Sequence, residues 1–197
     1  IKSALKSKCF EDVVVSTDSA KIKKISENYG AKVPYLRSKE LAKDEVGLIR
    51  VISNYLKNSK KKYDNVCCIY PCAIFVDKKL IIQTLKAHLK NKKNYTVTIN
   101  KLPIPIEKTF KLSKNKISLF NNKNINKVSN IFKNSYYDAG QLFWGKENAL
   151  IKEKNIFSNN TLYYELKKPF HVDVNDQQDW SVLDEFAKLY KRKITWH

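Results

Sequence analysis

Hydrophobic positions in this chain follow two rhythms: short continuous runs, and stripes that recur every three to four residues. Residues 1–8 are helix-compatible, with Ala4 and Leu5 as apolar anchors. Val13-Val14-Val15 is apolar at every position, as in a strand buried on both faces of a parallel sheet. Ser16-Thr17-Asp18-Ser19 follows as a set of helix-capping residues. Ile22, Ile25 and Tyr29 then recur at helical spacing, and Gly30 stops that helix. A short strand is predicted over Lys32-Val33-Pro34-Tyr35-Leu36, then a helix from near Asp44 with Leu48, Ile49, Ile52 and Leu56 on one face. Residues 65–70 read as a second buried strand ended by Pro71, residues 80–89 as a helix, and Tyr95-Thr96-Val97-Thr98-Ile99 as an alternating strand. The β-α-β-α-β order predicts a layered α/β domain with a mostly parallel sheet.

Beyond residue 102 the pattern loosens. Between Pro103 and Asn134, strand-like pieces at 109–112 and 117–120 alternate with Asn and Lys clusters. A structureless loop of that length is unusual in a compact domain, so a protruding hairpin or oligomerisation arm is expected. Residues 136–145 place two of the four glycines among four aromatic rings, Asp138 and Gln141. A glycine inside a strand-like run marks a bulge or a close backbone approach. Such a segment also suits a strand end that fills the core with Leu142, Phe143 and Trp144. His171-Val172-Asp173-Val174 reads as the last strand, and Asp176 caps a helix striped by Trp180, Leu183, Phe186, Ala187 and Tyr190.

The formal charge of +19 invites a nucleic-acid reading, but arginine occurs only at Arg37, Arg50 and Arg192. Specific recognition of bases and phosphates leans on the planar guanidinium fork. Lysine spread along the whole chain reads instead as solvated surface with a weak attraction for polyanions, and no specific nucleic-acid partner is expected. Cys9, Cys67, Cys68 and Cys72 form no Cys-x-x-Cys pair and are expected to be reduced thiols. No apolar run approaches the ~18 residues of a membrane helix, and the start does not read as a signal peptide. A cytoplasmic protein without a membrane partner is the expectation.

Ligands of open α/β sheets gather beyond the carboxyl ends of the strands. Three such ends are polar here: Ser16-Thr17-Asp18, Tyr70-Pro71-Cys72-Ala73 and Asp173-Val174-Asn175. Asp173 and Asn175, two apart on an extended segment, present oxygen to one side, the ligand type that magnesium shares with substrate phosphates. Asp173 equally suits a helix cap or a lysine partner. No Ser/His/Asp or Cys/His triad has a convincing context, and His88, His171 and His197 read as structural or surface residues. Neither a Walker loop nor G-x-G-x-x-G is present.

These segments, in this order, resemble the acylneuraminate cytidylyltransferase family, and within it the pseudaminic acid branch. The resemblance rests on Val14-Val15-Ser16-Thr17-Asp18, Tyr29 through Ala42, Ile69-Tyr70-Pro71-Cys72-Ala73, Tyr136 through Gly145, and Asp173-Val174-Asn175 leading to Asp179-Trp180. It implies a three-layer Rossmann-like nucleotidyltransferase domain over residues 1–197, magnesium dependence and a homodimer joined through the 103–134 arm. It further implies transfer of CMP from CTP to a nonulosonic acid for surface glycan or flagellin modification. By the family pattern, Asp173 would be catalytic and hold magnesium together with Asn175. Arg37, Ser16 and Asp18 would meet the nucleotide, while Tyr70, Pro71, Gln141 and Asp138 would line the sugar pocket.

The family pattern also expects a strand and a glycine- and arginine-rich phosphate loop upstream of Ile1. Asn175, Ile74 and Val128 depart from it, standing where a carboxylate, a proline and an arginine are usual. A synthetase for neuraminic or legionaminic acid, and an inactive dimerising remnant, are the alternatives.

Overall fold

The computed structural model describes residues 1–114, 116–119, 126–166, 174 and 176–191. In chain order the elements are α1 (Lys2–Ser7), α2 (Ala20–Asn28), α3 (Leu48–Asn58), β1 (Asn65–Ile69), α4 (Lys78–Lys90), β2 (Tyr95–Lys101), β3 (Phe110–Ser113), β4 (Lys116–Leu119), β5 (Tyr136–Lys146), α5 (Glu147–Ile151), β6 (Thr161–Glu165) and α6 (Gln177–Lys191). The main sheet has the spatial order β1-β5-β2-β6. β6 pairs parallel to β2, whereas β5 pairs antiparallel to both β1 and β2. Three strands therefore share one direction and β5 alone runs against them.

That reversal was not visible in the β-α-β order, and it has a simple cause. The chain leaves β2 at Lys101 and re-enters the sheet at Tyr136, its register partner, and Leu102 N–H donates to the Ser135 carbonyl at 2.8 Å. β2 and β5 thus form one long hairpin, and the expected arm is the excursion between them. Within it β3 and β4 make a separate two-stranded ribbon.

Alternation along β5 assigns the core. Leu142 and Trp144 point to one face, where they meet Ala4 of α1, Ile81 of α4 and Val76 in the turn before α4. Phe143, between them, points to the other and meets Leu56 of α3, Tyr95, Val97, and Ala149 and Leu150 of α5. The result is three layers, α1 and α4 on one side of the sheet and α3 and α5 on the other. Phe10 stacks on Trp144 with ring centroids 5.4 Å apart. Gly145 is required by close approach, since a Cβ there would sit 2.9 Å from the Tyr95 ring and 3.0 Å from Leu150.

Beside β1, Val14 bridges Lys32 in parallel, with Val15 N–H bonded to the Lys32 carbonyl at 2.9 Å and Lys32 N–H to the Val13 carbonyl at 2.8 Å. Asp12 fastens this pair to the loop before β1. Its carboxylate accepts from Tyr63 Oη at 2.9 Å, lies 3.0 Å from Lys61 Nζ and also binds Lys32. Hydrogen bonds from Lys32 and Lys61 hold the Asp12 carboxyl well below the usual carboxylate range.

Several expectations are refined. The helix expected from Asp44 begins at Leu48, because Gly47 takes the extended N-cap conformation and residues 40–42 form only a 3-10 turn. In α2, Ser19 caps as expected, accepting from Ile22 N–H at 3.3 Å. Its apolar recurrence nevertheless faces outward, with Ile22, Ile25 and Tyr29 46–50% exposed and Ser26 buried. In α4, Leu89 is exposed and His88 takes the buried position. In α6, Asp176 Oδ1 accepts from Gln178 and Asp179 N–H as expected, and Leu183 is buried, but Trp180 is exposed. The strand expected over 171–174 falls outside the described residues apart from Val174, and the side chain of Tyr190 is outside them as well.

Candidate active site

Two of the expected binding groups are assembled, each on its own piece of the fold. The first follows the Val14–Lys32 bridge. Thr17 is buried, its carbonyl accepts from Arg37 N–H at 2.7 Å, and its hydroxyl accepts from Ser19 N–H at 3.1 Å. These bonds bring Arg37 beside Asp18, with Nη2 3.7 Å from Oδ1. Arg37 Nε is buried without a hydrogen-bond partner, so the guanidinium retains donor capacity. Ser16 is exposed next to the pair.

The second group sits where β1 ends and β5 begins. Tyr70 continues β1 by one residue, its N–H donating to the Gln141 carbonyl at 3.0 Å. The Tyr70 hydroxyl donates to Asp138 Oδ2 at 3.4 Å, and its ring meets Phe143 edge-on at 6.3 Å. Pro71, exposed, opens a tight turn closed by Ala73 N–H on the Tyr70 carbonyl at 3.1 Å. Asp138 also accepts from Gly140 N–H through Oδ1 at 3.1 Å. Gly140 has φ +58°, left-handed backbone that glycine adopts without steric cost. Gln141 is buried; its Nε2 donates to the Ala139 and Gly140 carbonyls at 3.1 and 3.3 Å, leaving Oε1 without a partner. The strand expected to carry a glycine bulge therefore carries one, with an acid and an amide locked to its backbone.

Asp173 and Asn175, expected to hold metal, lie outside the described residues. Among the described residues no cluster of three or more His, Cys, Asp or Glu could hold a metal ion. The four cysteines are free thiols; burial pushes Cys68 up to about 12 and Cys67 well above its ordinary value, so neither is a thiolate near neutral pH.

Sequence reasoning passed over the polar half of β2. Thr96, Thr98 and Asn100 alternate with Tyr95, Val97 and Ile99, and such alternation ordinarily marks a solvent face. Here all three are at most 3% exposed, and α4 packs on Thr96 through His88. His88 of α4, 2% exposed, bridges Thr96 Oγ1 at 2.9 Å and Asn65 Oδ1 at 3.0 Å, and stacks on Trp144 at 6.2 Å. Burial, and Lys146 secondarily, lower its pKa and keep the imidazole neutral. Asn100 pairs in register with Tyr137 and leaves Nδ2 buried without a partner.

This architecture and sequence have relatives. The sequence matches the family described as cytidylyltransferase over residues 1–195. The chain belongs to that family. Pseudaminic acid cytidylyltransferase of Campylobacter jejuni subsp. jejuni serotype O:2 is 31% identical over 97% of this chain and 83% of its own length. CMP-N,N'-diacetyllegionaminic acid synthase of Legionella pneumophila is 25% identical, covering 98% of this chain and 85% of its own. Among solved structures, CMP:2-keto-3-deoxy-manno-octonic acid synthetase complexed with CTP superposes with a TM-score of 0.63 over 98% of this chain and 86% of its own, at 10% identity. That likeness shows the fold: a Rossmann-like nucleotidyltransferase, as the sequence predicted. As a cytidylyltransferase family member the chain is a nucleotidyltransferase enzyme. Among the described residues no helix is long and apolar enough to cross a membrane.

Proposed function

We propose that this cytidylyltransferase couples CTP to pseudaminic acid, releasing pyrophosphate and forming CMP-pseudaminic acid for surface glycan or flagellin modification. The observation that carries the reading is the 31% identity to a pseudaminic acid cytidylyltransferase along 97% of the chain. The Tyr70–Asp138–Gln141 group supports it, since it gathers a hydroxyl, a carboxylate and an amide at the carboxyl end of β1.

In the reaction the anomeric hydroxyl oxygen attacks the α-phosphorus of CTP. A new P–O bond forms as the bond to pyrophosphate breaks, and the hydroxyl proton is lost. Such a transfer depends on positioning and charge stabilisation. Tyr70, Pro71, Asp138 and Gln141 would orient the sugar, with Arg37, Ser16 and Asp18 on the nucleotide. The oxygen donors Asp173 and Asn175 suit a hard dication, and magnesium bound there would neutralise phosphate charge.

The same reading includes a homodimer in a cytoplasmic setting. Phe110, Leu112 and Ile117 share one face of the β3–β4 ribbon and are 62–74% exposed, an apolar surface suited to a second copy. The test is pyrophosphate release and product mass with CTP, magnesium and each of pseudaminic, legionaminic and neuraminic acids. Preferred turnover of pseudaminic acid is expected. Preference for another acid assigns the enzyme to that sugar, and no turnover with any of them overturns the reading.

A further inference from the structure

We propose that Thr98 is a positioning residue that sets the shape of the sugar-facing part of β5. The proposal rests on the reading that Asp138 and Gln141 meet the sugar.

The register of the sheet requires such a device. β5 pairs with β2 at Val97↔Phe143 and again at Ile99↔Asp138. Between those pairs β2 has only Thr98, while β5 has Ala139, Gly140, Gln141 and Leu142. Toward β1 the pairing of β5 stays regular, through Ile69↔Leu142 and the Tyr70 N–H bond to Gln141. The surplus is therefore taken up entirely on the β2 side, as an enlarged bulge. Because Gln141 points its carbonyl at β1, alternation turns the N–H and carbonyl of Leu142 toward β2.

Thr98 meets both of those groups. Its hydroxyl donates to the Leu142 carbonyl at 2.7 Å and accepts from Leu142 N–H at 3.3 Å. Thr98 and Leu142 are 0% and 1% exposed, so solvent does not replace these bonds. One side chain thus substitutes for the ladder that the bulge interrupts. With Leu142 fixed, the rest of the bulge has one arrangement. Gly140 turns left-handed, Asp138 Oδ1 takes the Gly140 N–H, and Gln141 spends its Nε2 on two backbone carbonyls. Gln141 Oε1 is left buried without a partner, so the position of the Gln141 amide is set by the bulge backbone alone.

Valine at position 98 keeps the shape and removes the hydroxyl. In the intact protein, Thr98→Val is expected to raise KM for the sugar about tenfold while KM for CTP stays within about twofold, because the Arg37–Asp18 pair is built on a different part of the fold. Thr98→Ser, which restores the hydroxyl, is expected to recover the wild-type sugar KM. Hydrogen exchange read at the Leu142 amide should accelerate in Thr98→Val and return in Thr98→Ser. An unchanged sugar KM, an equal rise in both KM values, or failure of serine to rescue would overturn the proposal.

If Thr98→Val does not fold, Thr98→Cys decides, since a thiol bonds the Leu142 N–H and carbonyl far more weakly than the hydroxyl does. A selective rise in sugar KM supports the proposal, and a uniform loss of activity refutes it. The exchange measurement needs no substrate, so it separates failure of the clamp from failure of the functional reading: a wild-type enzyme inactive on every nonulosonic acid, with Leu142 exchange still governed by Thr98, defeats only the latter.

Discussion

The Tyr70 hydroxyl reaches Asp138 Oδ2 at 3.4 Å across 68 residues of sequence. Tyr70 ends one strand and Asp138 lies near the start of another that runs the opposite way, so the contact exists only once β1 and β5 are in register. It places a phenol beside a carboxylate at the carboxyl end of β1.

Removing that hydroxyl is a test of the sugar pocket. A hydrogen bond to a charged group contributes about 1.5–3 kcal/mol, so if Tyr70 orients the sugar, Tyr70→Phe should raise KM for the sugar by roughly 10–150-fold. KM for CTP should change little. Steady-state kinetics with each substrate varied in turn checks this, and an effect confined to CTP would place Tyr70 in the nucleotide site instead.

His88 links acidity to stability. Its pKa is lowered in the folded state by burial, then by Lys146, while an unfolded histidine takes up its proton near pH 6.5. Between those values the unfolded chain binds more protons, so the His88 contribution is complete above about pH 6.5 and is lost as pH falls below it. Melting temperature should drop from pH 7.5 to pH 5.5, and the slope should flatten in His88→Gln. His88→Ala should cost about 2–4 kcal/mol, because Asn65 and Thr96 lose their buried partner.

Trp144 anchors the α1–α4 side of the sheet. It is 2% exposed, stacks on Phe10 and donates through Nε1 to Thr84 Oγ1 at 3.0 Å. Trp144→Ala should destabilise the fold by about 3–5 kcal/mol. Chemical denaturation checks the value, and a cost below about 1 kcal/mol would contradict the packing described.

The β3–β4 ribbon carries the dimer reading. Leu112 and Ile117 are register partners, 74% and 69% exposed. Replacing both with lysine should leave the melting temperature of the core intact and convert dimers to monomers in light scattering after gel filtration. A wild-type protein that is monomeric at micromolar concentration would remove the premise.

Much of this was legible from residue patterns, and the failures have physical causes. β1, α4, β2 and the Ser19 and Asp176 caps follow from local periodicity and capping chemistry, which the tertiary fold did not override. α5 was missed because five residues make little more than one helical turn, and β6 because Thr161-Leu162-Tyr163-Tyr164-Glu165 shows neither a continuous apolar run nor a clean alternation. The direction of β5 depends on where a long excursion begins and ends, and no local pattern encodes that. In the candidate site, Asp138, Gly140 and Gln141 announced themselves by their rarity among aromatics. Thr98 did not, because a threonine opposite a bulge looks like a surface residue until the partner strand is known, and His88, read as structural or surface, proves structural, on the sheet-facing side of α4.

The hairpin made by β2 and β5 also bears on how the protein is made. β1 and β2 do not pair with each other; each pairs with β5, which is completed only at Lys146. During synthesis β1 and β2 emerge before the reversed strand that joins them, so the β1–β5–β2 part of the sheet closes only after β5 has left the ribosome. Nascent chains halted before residue 136 lack β5, the strand that joins β1 to β2, and chaperone dependence should concentrate in that interval.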